Sequence, residues 1–278
     1  MSERSFVQRL DTVCKSRRSL VCVGLDPDPT QMPVSDVLGF NKAIIDATHD
    51  LVCAYKPNFA FYEALGIPGL QALEGTIEHI RRRAPDAIVI ADAKRGDIGN
   101  TSKAYARALF DVFGSDAATV SPYLGDDSVQ PFLEYADKCV FLLCRTSNAG
   151  AKDLQDLPVG QPPEPLYVHV ARMAKRWNTH GNVGLVVGAT YPEELRLVRG
   201  VCPDMPILVP GVGAQAGDLA AAVRNGVDAR GRLAVVNSSR SIIYASKGPD
   251  YAQSARKAAG SLRDAINTVL EREGKGWS

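Results

Sequence analysis

The clearest chemical potential in this chain lies at Asp92-Ala93-Lys94-Arg95-Gly96-Asp97-Ile98-Gly99, where two carboxylates bracket an ammonium directly after an apolar run, Ala87-Ile88-Val89-Ile90-Ala91. Side chains alternate along a strand. If the strand persists through Lys94, Asp92 and Lys94 share a face, and a turn at Gly96 can bring Asp97 back toward them. A fixed ammonium held by carboxylates suits a step in which negative charge develops on carbon, because it stabilises that charge and carries a proton to it. The same spacing also occurs as a plain surface ion pair at a strand end. The rest of the chain decides between the two.

Short apolar runs recur at residues 20–25, 51–56, 87–92, 117–120, 139–144, 183–187, 207–209 and 233–236. Between them lie segments with helical periodicity, among them 35–50, 69–83, 101–113, 165–180, 192–198 and 214–225, with 251–272 closing the chain. Continuous apolar strands separated by helices imply a parallel sheet covered on both faces, and eight such units predict one closed (β/α)₈ TIM barrel of α/β class spanning residues 1–278. An open doubly wound sheet is the alternative, but no GxGxxG follows the first strand. In a barrel, catalytic groups sit at the C-terminal ends of the strands. Asp26, Lys56, Asp92, Lys94 and Ser147 all fall at or just beyond such ends.

Two segments depart from the alternation. Residues 146–165 hold Pro158 and the cluster Pro162-Pro163-Glu164-Pro165, too long and polar for a minimal strand-to-helix turn, and predict an excursion over the barrel mouth. Residues 211–217 are rich in Gly and Ala, a composition suited to a loop that moves. Either segment could instead be an inert surface loop.

The strand ends read in order Val23-Gly24-Leu25-Asp26, Ala54-Tyr55-Lys56-Pro57, Asp92 through Asp97, and Arg145-Thr146-Ser147-Asn148. They continue with Pro210-Gly211-Val212-Gly213-Ala214-Gln215 and Asn237-Ser238-Ser239-Arg240-Ser241. This series resembles the orotidine 5'-monophosphate decarboxylase family, whose signature is Asp-x-Lys-x-x-Asp, and the flanking Lys-Arg-Gly-Asp-Ile-Gly-Asn-Thr is similar to its longer-chain bacterial branch. The resemblance runs from about Asp26 to Tyr244.

It implies cofactor-free decarboxylation of orotidine 5'-monophosphate to uridine 5'-monophosphate and CO₂, the last step of de novo pyrimidine synthesis. It also implies that Lys56, Asp92, Lys94 and Asp97 form an alternating charge array beneath the pyrimidine. Asp97 would come from the neighbouring subunit of a homodimer, and Thr101 would cross the same interface toward the ribose. Asp26 would contact the ribose hydroxyls, Ser147 would read the pyrimidine, Pro210 and Val212 would line its edge, and Gln215 and Arg240 would take the phosphate. One departure stands out: many members carry Gly-Arg where this chain has Ser239-Arg240.

The chemistry stands on its own. Loss of CO₂ from an sp² carbon leaves electrons in an in-plane orbital that the ring cannot delocalise, so a pre-organised ammonium such as Lys94 answers the need. Lys56 would position Asp92 and keep the array near neutrality. Asp92, placed near the substrate carboxylate, would raise the ground state by repulsion that departure of CO₂ relieves. Arg240 follows a strand and precedes Ser241-Ile242-Ile243-Tyr244, where N–H groups opening a helix attract an anion.

Composition narrows the remaining classes. With 278 residues, 45% hydrophobic and 23% charged, the chain can bury a full core. Lys and Arg number 32 against 31 Asp and Glu, a net charge of +1, which gives no general attraction to nucleic acid or to an anionic membrane. No stretch approaches the roughly 18 apolar residues of a membrane span, and the N-terminus lacks a signal-peptide core. The six cysteines, Cys14, Cys22, Cys53, Cys139, Cys144 and Cys202, show no CxxC spacing and read as free thiols in a reducing cytoplasm. A zinc site built from distant cysteines is the competing reading. His49, His79, His169 and His180 fall in helix-like segments and read as surface or packing residues.

Two other functions remain in view. A magnesium-dependent sugar-phosphate decarboxylase, epimerase or aldolase on the same scaffold shares the Asp-x-Lys-x-x-Asp spacing, but the ammonium of Lys56 would compete with a bound cation. A non-catalytic phosphate-binding relic would keep Arg240 and Gln215 and lose the charge array.

Overall fold

The structure is a computed structural model that describes residues 4–212 and 219–277. Eight parallel strands close into a barrel in chain order: β1 (Val21–Leu25), β2 (Ala54–Pro57), β3 (Ile88–Arg95), β4 (Ala117–Val120), β5 (Cys139–Arg145), β6 (Val183–Val187), β7 (Ile207–Pro210) and β8 (Ala234–Ser238). Closure pairs Val21 with Val236, Cys22 with Asn237 and Val23 with Ser238. Every strand residue of β1, β2, β4, β6 and β8 is buried. That two-sided burial is why the strands read as unbroken apolar runs rather than alternating ones.

The outer ring begins with α1 (Phe6–Arg17), started by a capping box in which Ser5 and Gln8 satisfy each other's backbone N–H, and ended by Arg18 at φ 47°. There follow α2 (Val37–Thr48), α3 (Phe59–Glu63), α4 (Gly66–Arg83) and α5 (Gly99–Arg107), which continues into a π-helical turn at Ala108–Val112. The ring goes on with α6 (Asp126–Leu133), α7 (Leu166–Trp177), α8 (Pro192–Val201), α9 (Leu219–Gly226), the single turn α10 (Arg240–Ile243), and α11 (Tyr251–Arg272). All eight anticipated strands form, each beginning or ending within a few residues of its apolar run. The periodicity did not single out α1 or α6. Pro131 lies inside the eight-residue α6, and α1 covers the barrel floor with Phe6, Leu10, Val13 and Cys14.

The N-terminal end of the barrel is locked by charge. Asp116, 3% exposed, accepts from Arg9 at 2.6 Å, from Arg81 at 2.8 Å and from the Val89 N–H at 2.8 Å. These bonds tie α1, α4 and the start of β4 together at the floor, and the cavity lies at the opposite, C-terminal end of the strands. Among the described residues no helix is long and apolar enough to cross a membrane.

Candidate active site

Asp92 is the centre of the C-terminal mouth. It is 8% exposed; its Oδ2 accepts from Lys56 Nζ at 2.6 Å, and its Oδ1 accepts from Lys94 Nζ at 2.7 Å and from the Thr119 hydroxyl at 3.0 Å. Burial pushes the Asp92 carboxyl up, but the two ammonium groups beside it outweigh that and hold it well below the usual carboxylate range. Lys56, 3% exposed at the end of β2, shows the reciprocal effect. Burial disfavours its charge, and the negative charges of Asp92 and Asp26 override this and raise its pKa. Asp92 and Lys56 are therefore both charged at neutral pH, each supporting the other.

Lys94 reaches Asp92 by a route that strand alternation did not anticipate. Strand β3 persists through Arg95, but its register against β4 shifts between Ala91 and Arg95, and Lys94 sits at φ 45°, in the left-handed region. A β-bulge, rather than the pleat, puts both side chains on one side. The Lys94 side chain is half exposed.

Asp97 corrects the in-chain reading of the motif. Its Oδ1 accepts the N–H of Ile98 at 2.8 Å, and it forms no ion pair with either lysine among the described residues. Strand β3 ends at Arg95, and α5 begins at Gly99, two residues past Asp97. Thr101 is exposed on that helix, near Ile98 at 58% exposure.

Asp26, Lys56, Asp92, Ser147, Pro210, Val212 and Arg240 all line one cavity of about 350 Å³, a size suited to a small ligand. Asp26 Oδ1 is buried there without a partner. Arg240 is exposed and forms no ion pair among the described residues, so its charge is available to an anion. Its helix, α10, is one turn long, too short for much dipole, so an anion held here would depend on the guanidinium. Gln215 lies outside the described residues, as do most of residues 211–217.

The Ser239 departure has a local accommodation. Gly24 on β1 faces it so closely that a Cβ at Gly24 would meet Ser239 Oγ at 1.8 Å. The serine hydroxyl occupies the space the glycine leaves.

Several cavity residues were not anticipated. Asn58, Thr190 and Asn237 line the cavity, and the buried Oγ1 of Thr190 and Oδ1 of Asn237 lack partners. A polar residue ending an otherwise apolar strand was the available signal for Asn237. Tyr244 was missed as a tie: its hydroxyl donates to the Asp26 carbonyl at 2.9 Å and accepts the Asp28 N–H at 2.6 Å, joining the β1 loop to α10.

The excursion after β5 is built structure. It contains a 3₁₀ turn at Ala149–Asp153 and a two-stranded antiparallel ribbon, Pro158–Val159 with Glu164–Pro165. Arg145, fully buried, holds its base: the guanidinium lies 4.0 Å from the Tyr191 ring centroid, 3.2 Å from Asp156 Oδ1, and donates to the Thr146 carbonyl at 3.1 Å. Gln155 accepts the Thr146 N–H and donates to its Oγ1, both at 2.8 Å. Ser147 is the next residue.

The six cysteines are free and buried, and among the described residues no three His, Cys, Asp or Glu side chains converge as a metal site. His79 and His169 lie beside surface carboxylates, Asp46 and Glu164.

A closed parallel barrel with a charged cavity at the C-terminal strand ends defines a (β/α)₈ barrel enzyme. Residues 19–258 match the family model described as orotidine 5'-phosphate decarboxylase / HUMPS family. A relative from Dehalococcoides mccartyi, named orotidine 5'-phosphate decarboxylase, is 53% identical over 271 residues, covering 96% of this chain and 99% of the relative. One of the same name from Roseiflexus castenholzii is 51% identical over 273 residues, covering 96% and 98%. The solved structure of Leishmania donovani OMP decarboxylase superposes with a TM-score of 0.84 at 42% identity, covering 96% of this chain and 98% of that one. The chain belongs to the orotidine 5'-phosphate decarboxylase / HUMPS family.

Proposed function

We infer that this chain is a carboxy-lyase that converts orotidine 5'-monophosphate to uridine 5'-monophosphate and CO₂ in pyrimidine biosynthesis. One observation supports the mechanism: the Lys56–Asp92–Lys94 chain of ion pairs, 2.6 and 2.7 Å long, whose Lys56 and Asp92 line the same cavity as Arg240. Arg240 takes the 5'-phosphate, with Gln215 as its partner, and Asp26 accepts from the ribose hydroxyls. Ser147 hydrogen-bonds the pyrimidine while Pro210 and Val212 pack along its edge.

With the substrate so held, its carboxylate faces Asp92. The bond from the ring carbon to the carboxylate breaks, CO₂ leaves, and the electron pair stays on that carbon. The Lys94 ammonium stabilises the pair and then transfers a proton to it; solvent later reprotonates the amine. Lys56 keeps Asp92 ionised throughout, so repulsion between the two carboxylates is present before the bond breaks and gone after it.

The active site is completed, on this reading, by a second copy of the chain. Asp97 pairs with no lysine among the described residues, and apolar Ile98, Tyr123 and Leu124, just beyond the ends of β3 and β4, are exposed. A homodimer would bury that surface and deliver Asp97 and Thr101 across the interface. Residues 1–278 are read as one barrel domain, and six buried free thiols suit a cytoplasmic protein.

The competing reading, a magnesium-dependent sugar-phosphate enzyme, needs Asp92 as a metal ligand. Lys56 Nζ already occupies one oxygen of that carboxylate at 2.6 Å, which favours the lysine chemistry. The test is loss of orotidylate absorbance in excess EDTA, run beside Lys94→Ala. Wild type is expected to turn over with chelator present and the variant to be slower by several orders of magnitude. Arrest by chelator, or untouched orotidylate, would move the assignment to the metal enzyme.

A further inference from the structure

We propose that Thr119 is a positioning residue for Lys94, its hydroxyl holding open the bulge from which the lysine reaches Asp92; this rests on Lys94 being the proton donor. On β3 and β4 the pairs Ala91 with Ala118 and Arg95 with Val120 leave Asp92, Ala93 and Lys94 all opposite Thr119. Three residues thus face one, and the ladder cannot serve their backbone groups in the ordinary way. Thr119 serves one of them, the Lys94 N–H, with its side chain. Its Oγ1 accepts the Lys94 N–H at 3.0 Å and donates to Asp92 Oδ1 at 3.0 Å.

The direction of each bond is fixed. A backbone N–H only donates and an ionised carboxylate only accepts, so the bridging group must do both, which a hydroxyl can. Thr119 is 1% exposed, so water does not readily replace it. The left-handed φ of 45° at Lys94 is disfavoured for a residue with a Cβ and persists only where the surroundings over-determine it. The Thr119 hydroxyl bonds both ends of the bulge, backbone at Lys94 and side chain at Asp92. Without it the lysine backbone is free to relax toward the strand, and Nζ leaves Asp92.

The experiment compares Thr119→Val, which keeps the shape and removes the hydroxyl, with Thr119→Ser, which keeps the hydroxyl. Steady-state decarboxylation and uridine 5'-monophosphate affinity are measured for each. Thr119→Val is expected to lower kcat roughly 10- to 100-fold with KM and product affinity unchanged, the size of a lost hydrogen bond to a charged group. Thr119→Ser should recover kcat to within about threefold of wild type, and adding Thr119→Val to Lys94→Ala should cost nothing further.

Wild-type kcat in Thr119→Val, or an equal loss in both variants, would overturn the proposal. Should the valine variant not fold, Thr119→Ala against Thr119→Ser carries the same comparison. If Lys94→Ala keeps its rate, the proton-donor reading fails. If Lys94→Ala collapses while the hydroxyl-free variant turns over normally, only the role of Thr119 fails.

Discussion

A carboxylate as enclosed as Asp92 stays ionised because Lys56 and Lys94 each bind one of its oxygens. Removing one partner of such a group leaves a charge that burial penalises. Lys56→Met is therefore expected to cost about 3 kcal/mol of folding stability at neutral pH, measured by urea denaturation. The pH dependence follows from the lowered Asp92 pKa. A depressed carboxylate contributes stability above its unfolded value of about 4, and that contribution fades as pH falls toward the folded value. In Lys56→Met the less compensated Asp92 takes up a proton more readily. The deficit relative to wild type should then shrink between pH 7 and pH 4; a deficit that grows on acidification would contradict the electrostatic account. Residue types and spacing made this trio visible in the sequence. That Thr119 is its fourth member was not, since it lies 25 residues from Lys94 within an ordinary apolar run.

At the scale of elements, the segment between β5 and α7 shows how a proline-rich stretch is tied to a site. Its anchor, Arg145, is a strand residue whose guanidinium is stacked on Tyr191 and paired with Asp156. Arg145→Met keeps the aliphatic length and removes those bonds. It is expected to raise KM for orotidine 5'-monophosphate about tenfold with a smaller effect on kcat, because Ser147 loses its fixed backbone. Faster proteolytic cleavage within residues 146–165 should accompany the change, and unchanged KM and cleavage would show that the anchor is dispensable. The sequence marked this segment by length and proline content. It did not mark Arg145 as buried, because an arginine at a strand end reads as solvent-facing unless its aromatic and carboxylate partners are known.

At the scale of the molecule, the barrel gathers a site from strands far apart in sequence. Tyr244 bonds a carbonyl 218 residues away, coupling the Asp26 loop to the turn that carries Arg240. The proposed homodimer adds a second copy to this assembly, with Asp97 completing the partner's site. Lys94→Ala and Asp97→Ala would each be inactive alone. Mixed in equal amounts after dissociation and reassociation, half the dimers are mixed and each holds one intact site, so about a quarter of wild-type activity should return. No recovery, in a mixture shown to exchange subunits, would place Asp97 outside the partner's site.

The sequence by itself determined the eight strands, the barrel class and the residue types at the strand ends. Parallel strands buried on both faces must be apolar throughout, and that pattern is local. It also determined which charges stand at the mouth. Only the tertiary structure decided how they meet: the bulge that turns Lys94 onto Asp92, the hydroxyl of Thr119 opposite it, the Ser239 side chain filling the space at Gly24, and the departure of Asp97 from its own lysines. Local periodicity encodes which face a residue takes within its element. Which distant donor meets which acceptor depends on register, closure and the space left between strands, and those exist only once the barrel is closed.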